Sequence, residues 1–550
     1  MMFALRPRPL VATAALAATL AFAPLTAQQP QEKVDYDAIY KIKDEGFARS
    51  QVMTIMSWMT DVYGPRLTNS PGFRKSGEWA VKEMSSWGLA NVKLEPWVTP
   101  TGPFGRGWSN DKFYLQATTP GGSFPIIGMS TAWTPGTNGA VSGDAIIAII
   151  ETPEDLAKFK GQLKGKFVLT SAMREVAPLW TPPAQRYTDD QLAALQSETD
   201  STPRGAGRGG RAGGPGAGGP GRAGGPPAAG GRGGAQNFAA QRTQFFKDEG
   251  VLGLISAGRG DGGTIFLGGN TPNRQPNVTD LGLPQIVIAI EHYGRIARTL
   301  EKNMPVKIEA DIKNTFHDDT SSFNVVGEIP GSDKADEIVM LGGHFDSWHG
   351  ATGATDNAAG SAVMMEAIRI LKQSGVKLRR TVRIGLWGGE EQGLLGSRAY
   401  VTEHFGDRTT MALKPAHAKF AGYFNVDNGT GAIRGIYLQG NEAAGPVFEA
   451  WMKPFNNIGM DTVTIRDTGG TDHQSFDALG LPGFQFIQDA VEYDTRTHHS
   501  NMDSYERIQE EDMRKNAVIV ASFVYHAANR DQLLPRKPLP RPAGAGRGTR

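Results

Sequence analysis

Between residues 318 and 530 the chain alternates short apolar runs with amphipathic stretches, and this rhythm constrains the fold more than any other feature. Glu337 to Gly343, Thr381 to Trp387, Tyr423 to Val426 and Phe484 to Ile487 are apolar runs of strand length. Ala358 to Lys372, the region near Gly393 to Val401, and Glu510 to Ala528 read as helices between or after them. Such alternation predicts an α/β core, a mostly parallel sheet flanked by helices. In sheets of this kind, sites form at the carboxyl ends of the strands.

The rest of the chain reads differently. Residues 35–95 read as helices, with Phe47 to Trp58 and Phe73 to Trp87 carrying apolar residues at three- and four-residue spacing. Residues 110–310 are rich in short β-type runs and predict a small inserted β-rich domain: Ala145 to Ile150, Phe167 to Thr170, Val251 to Ile255 and Gln285 to Ile290. Inside it, residues 202–237 are nearly all Gly, Pro, Ala and Arg, with no acidic residue. That composition cannot bury enough apolar surface to offset ordering, so a disordered loop is expected. Its arginines lack interleaved aromatics, so no nucleic-acid partner is expected. The expected organisation is 1–27 signal peptide, 28–109 N-terminal helical part of the catalytic domain, 110–310 β-rich insert, 311–532 catalytic domain and 533–550 disordered tail.

Composition narrows the chemistry. With 550 residues, the chain is too long for a single core. Lys and Arg number 57 against 56 Asp and Glu, a net charge of +1, so nothing draws the whole protein to nucleic acid or anionic membrane. There is no cysteine, which excludes disulfides, thiolate metal sites and cysteine nucleophiles. Any metal must be held by His, Asp and Glu, a set that suits zinc and leaves cobalt and manganese open. Arg6 and Arg8 precede an apolar run from Leu10 to Leu25, short for a bilayer span, with Ala27 as the expected last residue before cleavage. This predicts an exported protein, periplasmic or secreted, with no membrane span once the signal is removed.

Six residues cluster at the predicted strand ends. His344 follows a strand in Gly342-Gly343-His344-Phe345-Asp346, with Asp346 close enough to orient the imidazole. Asp356 lies where a loop becomes a helix, a place where Asp is otherwise an ordinary N-cap. Glu390 and Glu391 are adjacent carboxylates in a glycine-rich loop, and a positive group would favour holding both. Asp427 ends another strand. Of the consecutive His498 and His499, His499 is favoured because it begins a His-Ser-x-x-Asp pattern. Each piece alone is ordinary. Together they form a His, Asp, Glu, Asp, His set sufficient for two metals sharing one carboxylate.

With these motifs in view, the sequence resembles the zinc exopeptidases that include bacterial zinc aminopeptidases and carboxypeptidase Q. The resemblance runs through GGHFDSW at 342–348, TGATDNAAG at 352–360, LWGGEEQGLLGS at 386–397, FNVDN at 424–428, GGTDHQSFDALGLPG at 469–483 and HHSNMD at 498–503. It extends to MTDVYGPRLTNSPG at 59–72, and the β-rich insert resembles a protease-associated domain. The resemblance implies a phosphorylase/hydrolase-like core and two Zn2+ per chain. Asp356 would bridge them, His344 and Asp427 would hold one, and Glu391 and His499 the other. It also implies Glu390 as general base, Asp346 orienting His344, and a cis Asp356–Asn357 peptide. Some relatives carry a Tyr before the Asp-His pair. Here Thr468 stands near that place, before Asp472 and His473, and His473 becomes a candidate for oxyanion stabilisation.

The expected activity is hydrolysis of short peptides, as an aminopeptidase or a carboxypeptidase Q-like dipeptidase; the homodimer is left open. The competing readings are an amidohydrolase or cyclotransferase on the same fold, and a non-catalytic binding protein on a peptidase scaffold.

Overall fold

A computed structural model of the chain describes residues 32–202 and 232–542. The expected signal peptide, most of the low-complexity insert and the end of the tail lie outside the described residues.

The sheet that carries the site has eight strands. Their order is Ala90–Trp97, Ser322–Ile329, Arg380–Trp387, Lys334–His344, Phe420–Asn425, Gly483–Gln488, Ile433–Tyr437 and Thr462–Thr464. The four strands from Arg380–Trp387 to Gly483–Gln488 run parallel. The pairings on either side of this block are antiparallel. Three of the parallel strands are almost continuously buried and Lys334–His344 is buried from Val339 on, as strands covered on both faces must be. Because they share one direction, their carboxyl ends share one rim, and residues 344, 387–391, 427 and 489 emerge there.

The helix Ala359–Gln373 is buried from Ala359 through Leu371. It is apolar nearly all round because it lies between the sheet and other helices. Tyr36–Ala48 and Glu510–Asn529 pack on it, and their side chains belong to the same core. Inside that core Arg369 pairs with Glu366 and Glu45, each at 2.7 Å, so the buried charges are matched.

A second eight-stranded sheet spans residues 107–317, with antiparallel strands at one side and a parallel run from Ala140–Ile147 through Gln285–Ile288. The helix Ile290–Leu300 buries Tyr293, Ile296 and Ala297 in its core. This sheet is tied to the rim of the first. Leu267 N donates to the carbonyl of His499 at 2.8 Å, and Ile265 N donates to Asn501 Oδ1 at 2.8 Å. Gln185 and Val491 exchange backbone hydrogen bonds, and Arg186 pairs with both Asp489 and Asp512.

Several sequence expectations need correction. Residues 90–97, expected among helices, form an edge strand that pairs with Ser322–Ile329. The helix expected over Phe47 to Trp58 is two helices, Tyr36–Ala48 and Val52–Ser57. Residues 232–237, placed in the disordered insert, begin the helix Arg232–Asp248. Residues 533–537, placed in a disordered tail, are anchored. Leu534 is buried, Arg536 donates to the carbonyls of His417 and Phe420, and Lys537 pairs with Asp477 at 2.6 Å. Their Pro and Arg content disfavours regular structure, yet their polar groups find partners on the sheet.

Candidate active site

His344 is the last residue of the strand Lys334–His344 and is fully buried. Its Nε2 lies 3.1 Å from Asp427 Oδ1, 3.2 Å from Asp356 Oδ1 and 4.0 Å from Glu390 Oε2. Its Nδ1 faces the backbone carbonyl of Asp346 at 3.0 Å. Donation from Nδ1 to that carbonyl would leave Nε2 as the nitrogen able to hold a metal.

This corrects the role expected for Asp346. Its carboxylate lies 3.8 Å from Nδ1 and is engaged elsewhere. Oδ1 accepts from Glu390 N at 3.1 Å, and Oδ2 accepts from Glu391 N at 3.4 Å and from Thr68 Oγ1 at 2.7 Å. The carbonyl of Asp346 thus orients His344, while its carboxylate holds the Glu390–Glu391 turn.

Asp356 does not cap the helix that follows. Asn357 Oδ1 takes the N–H of Gly360 at 3.0 Å, leaving the Asp356 carboxylate to the site. Gly360 is required there, since a Cβ would fall 2.2 Å from the carbonyl oxygen of Val426. The Asp356–Asn357 peptide is cis. Asp356 Oδ1 accepts from Tyr493 Oη at 3.0 Å, while Oδ2 lies 3.2 Å from His499 Nε2 and 3.7 Å from His498 Nε2.

His499 Nε2 also lies 2.8 Å from Glu391 Oε2. The edge of the Trp348 ring faces the His499 imidazole, with centroids 6.1 Å apart. His498 stacks on His499 and Tyr493. His499 is thus set between two carboxylates, Asp356 and Glu391.

The charges are mutually dependent. Burial alone would lower the pKa of His344, but Asp427, Glu390 and Asp356 outweigh it and hold the imidazole well above its ordinary value. Burial is likewise overcome at His499, which Glu391 and Asp356 raise to about 10. Burial would raise Asp356, yet His344 and His499 pull it well below the usual carboxylate range. Glu391 is raised, by burial first and by the charge of Asp356, against the pull of His499.

These residues fit a metal on two counts. Nitrogen and carboxylate donors from His344, Asp356 and Glu391 lie within 4.8 Å of one another, as do those of Asp356, His498 and His499. Glu391 Oε1 and Asp356 Oδ2 are buried and lack a hydrogen bond of good geometry. A buried carboxylate oxygen without a donor is costly, and a cation relieves that cost.

Reading the sequence missed Tyr493, Asp503, Arg66 and Thr68. Asp503 is buried and accepts from Thr355 N at 2.6 Å and Asp356 N at 3.2 Å, so it ties the loop of His499 to the loop of Asp356. Its only signal was its place in the His-Ser-x-x-Asp pattern. Arg66 and Thr68 lie in the family-like stretch 59–72, to which no role was attached. Tyr493 had no spacing signal. His473, a candidate for oxyanion stabilisation, is fully buried with Nε2 3.1 Å from the carbonyl of Thr468, and burial lowers its pKa to about 4. Through that bond it ties the Asp472–His473 turn to the segment before it.

The comparisons with known proteins agree with this geometry. Residues 324–524 match the model of Peptidase family M28. That match spans the segment that builds the site. Rat carboxypeptidase Q is 29% identical over 254 residues, 46% of this chain and 52% of the rat protein. Aminopeptidase YwaD of Bacillus subtilis is 30% identical over 269 residues, 48% of this chain and 55% of that protein. The chain thus spans about half the length of the curated relatives it matches.

Solved structures match over more of the chain. The M28 peptidase precursor of Shewanella amazonensis SB2B superposes with a TM-score of 0.61 at 24% identity, covering 92% of this chain and 98% of that one. BSAP, described as a zinc aminopeptidase from Bacillus subtilis, gives 0.52 at 19% identity over 88% of this chain and 97% of its own. At these identities the likeness is one of fold. The His, Asp and Glu donors gathered here are a set that suits zinc. Among the described residues, no helix is long and apolar enough to cross a membrane.

Proposed function

We propose that the protein is an exported dinuclear zinc exopeptidase that hydrolyses short peptides. One observation carries the reading. Asp356 lies 3.2 Å from the Nε2 atoms of both His344 and His499, and each histidine has a second carboxylate of its own, Asp427 for one and Glu391 for the other. That is a donor set for two metals with one shared ligand.

Charge supports it. Asp346, Asp356, Glu390, Glu391 and Asp427 bring five carboxylates to one buried cluster. Two divalent cations would offset most of that charge while leaving both imidazoles neutral. When bound, zinc would lower the pKa of a water toward about 7 and polarise the scissile carbonyl.

In this reading His344, Asp356, Glu391, Asp427 and His499 hold the metals. Glu390 accepts the proton of the attacking water and delivers it to the leaving amine. Asp346 keeps Glu390 in place through its backbone N–H. Trp348 packs against His499 and helps to fix its ring. Residues 110–310 would form a protease-associated-like domain whose 263–267 segment braces the His499 loop.

The test is hydrolysis by the zinc-loaded protein of free dipeptides, N-blocked peptides and C-amidated peptides. The reading expects free dipeptides to be cleaved. Loss on N-blocking alone marks an aminopeptidase, and loss on either block marks a dipeptidase of the carboxypeptidase Q type. Zinc binding without cleavage of any peptide contradicts the reading.

A further inference from the structure

The stretch 59–72 lies outside residues 324–524, and the reaction described above gives it no part. Two of its side chains nevertheless reach the site. Arg66 is fully buried. Its guanidinium donates to the carbonyls of Phe345 at 2.7 Å, Met59 at 2.9 Å, Thr352 at 2.9 Å and Gly353 at 2.8 Å. It thereby fixes both ends of the loop that joins His344 to Asp356.

Thr68 goes further in. It has no exposure, and its Oγ1 lies 2.7 Å from Asp346 Oδ2 and 2.6 Å from Gln392 Oε1. A hydroxyl has one proton, so it cannot donate to both oxygens. The Nε2 of Gln392 is buried without a partner. Turning that amide over resolves both problems: Gln392 Nε2 donates to Thr68 Oγ1, and Thr68 donates to Asp346. Asp346 then gathers three donors on its carboxylate, from Thr68 and the N–H groups of Glu390 and Glu391, and one on its carbonyl, from His344.

We propose that Thr68 is a positioning residue: acting through Asp346, it sets the backbone of Glu390 and Glu391 relative to His344. The buried carboxylate has two backbone donors, one of them long at 3.4 Å, and the hydroxyl is the short bond that fixes its rotation. Without that bond the carboxylate turns, and the Glu390–Glu391 turn moves with it. Thr68 thus draws the N-terminal segment into the working site. The inference rests on the reading of Glu390 as base and Glu391 as ligand.

The test compares full-length wild type, Thr68→Val and Thr68→Ser by three measurements: zinc affinity by chelator competition, the split of kcat and KM on a free dipeptide, and melting of the metal-free protein. Valine keeps the shape without the donor. The expected result for Thr68→Val is zinc affinity and kcat each lowered about 10-fold or more, with KM nearly unchanged. Thr68→Ser is expected to restore both. Wild-type affinity and kcat in Thr68→Val would overturn the proposal. So would a lower melting temperature alone, with kcat per folded molecule unchanged, or failure of serine to rescue. If the wild type binds zinc but cleaves no peptide, the proposed function fails, while the affinity difference still decides the role of Thr68. A wild type that binds no zinc overturns both.

Discussion

The carboxylate of Glu391 lies 2.8 Å from the imidazole of His499, although the two residues come from opposite halves of the catalytic sheet. Glu391 follows the strand Arg380–Trp387 and His499 follows Gly483–Gln488, at the far side of the parallel block. They meet because all four parallel strands point their carboxyl ends to one rim. The contact is held from outside by Leu267, in the loop between strands Gly253–Ala257 and Gln285–Ile288 of the second sheet, whose N–H donates to the carbonyl of His499.

Glu390→Gln separates metal binding from chemistry. The amide keeps the size of the side chain and cannot take a proton from water. Zinc content is expected to remain at the wild-type level while kcat/KM falls by about 10²- to 10⁴-fold. Atomic absorption alongside dipeptide hydrolysis checks it, and retained activity would remove Glu390 from its role.

Asp503→Asn loosens the tie between the two ligand loops. The carboxylate accepts two backbone N–H groups, and the amide can match them only with its one oxygen. Zinc affinity should fall about 10- to 100-fold, the usual cost of losing a group that holds a ligand in place. A competition titration with a chelator reads it out.

His349 gives the protein a pH dependence of its own, apart from the clustered carboxylates and histidines. Its Nε2 donates to the Ser130 carbonyl at 2.7 Å, its Nδ1 is buried without a partner, and burial lowers its pKa to about 4. The unfolded chain takes up this proton near pH 6.5, so between 6.5 and 4 it binds more protons than the folded one. Stability from this residue is therefore complete above about 6.5 and lost as pH falls toward 4, by about 3 kcal/mol in all. Urea denaturation at pH 7.5 and pH 4.5 should show a smaller loss in His349→Gln than in the wild type, and equal losses would refute the assignment.

The site was largely legible because its residues are anchored to strands. His344, Asp356, Glu391 and Asp427 each follow a recognisable strand or precede a helix, and the parallel pairing of those strands brings them to one rim. What escaped notice depends on contacts between distant segments. Thr68 and Arg66 sit in a loop whose composition says only that it turns, and their partners lie hundreds of residues away. Asp346 was recognised, but its carbonyl and carboxylate exchange the expected duties because the Glu390 and Glu391 N–H groups compete for the carboxylate.

The fold followed the same division. The buried parallel strands stand out as apolar runs, whereas Ala90–Trp97 does not, since as an edge strand it carries Asn91, Lys93, Glu95 and Pro96. Residues 533–538 look like a loose tail by composition. They are held by Arg536 binding carbonyls that no local pattern could foretell.

The central claim is the shared carboxylate, and zinc titration of the metal-free protein tests it most directly. The account predicts saturation at about two zinc ions per chain, with hydrolysis of free dipeptides reaching its plateau at the second equivalent, and loss of the second ion in Asp356→Asn. Saturation at one ion or none, or an Asp356→Asn variant that still binds two and cleaves normally, would contradict it.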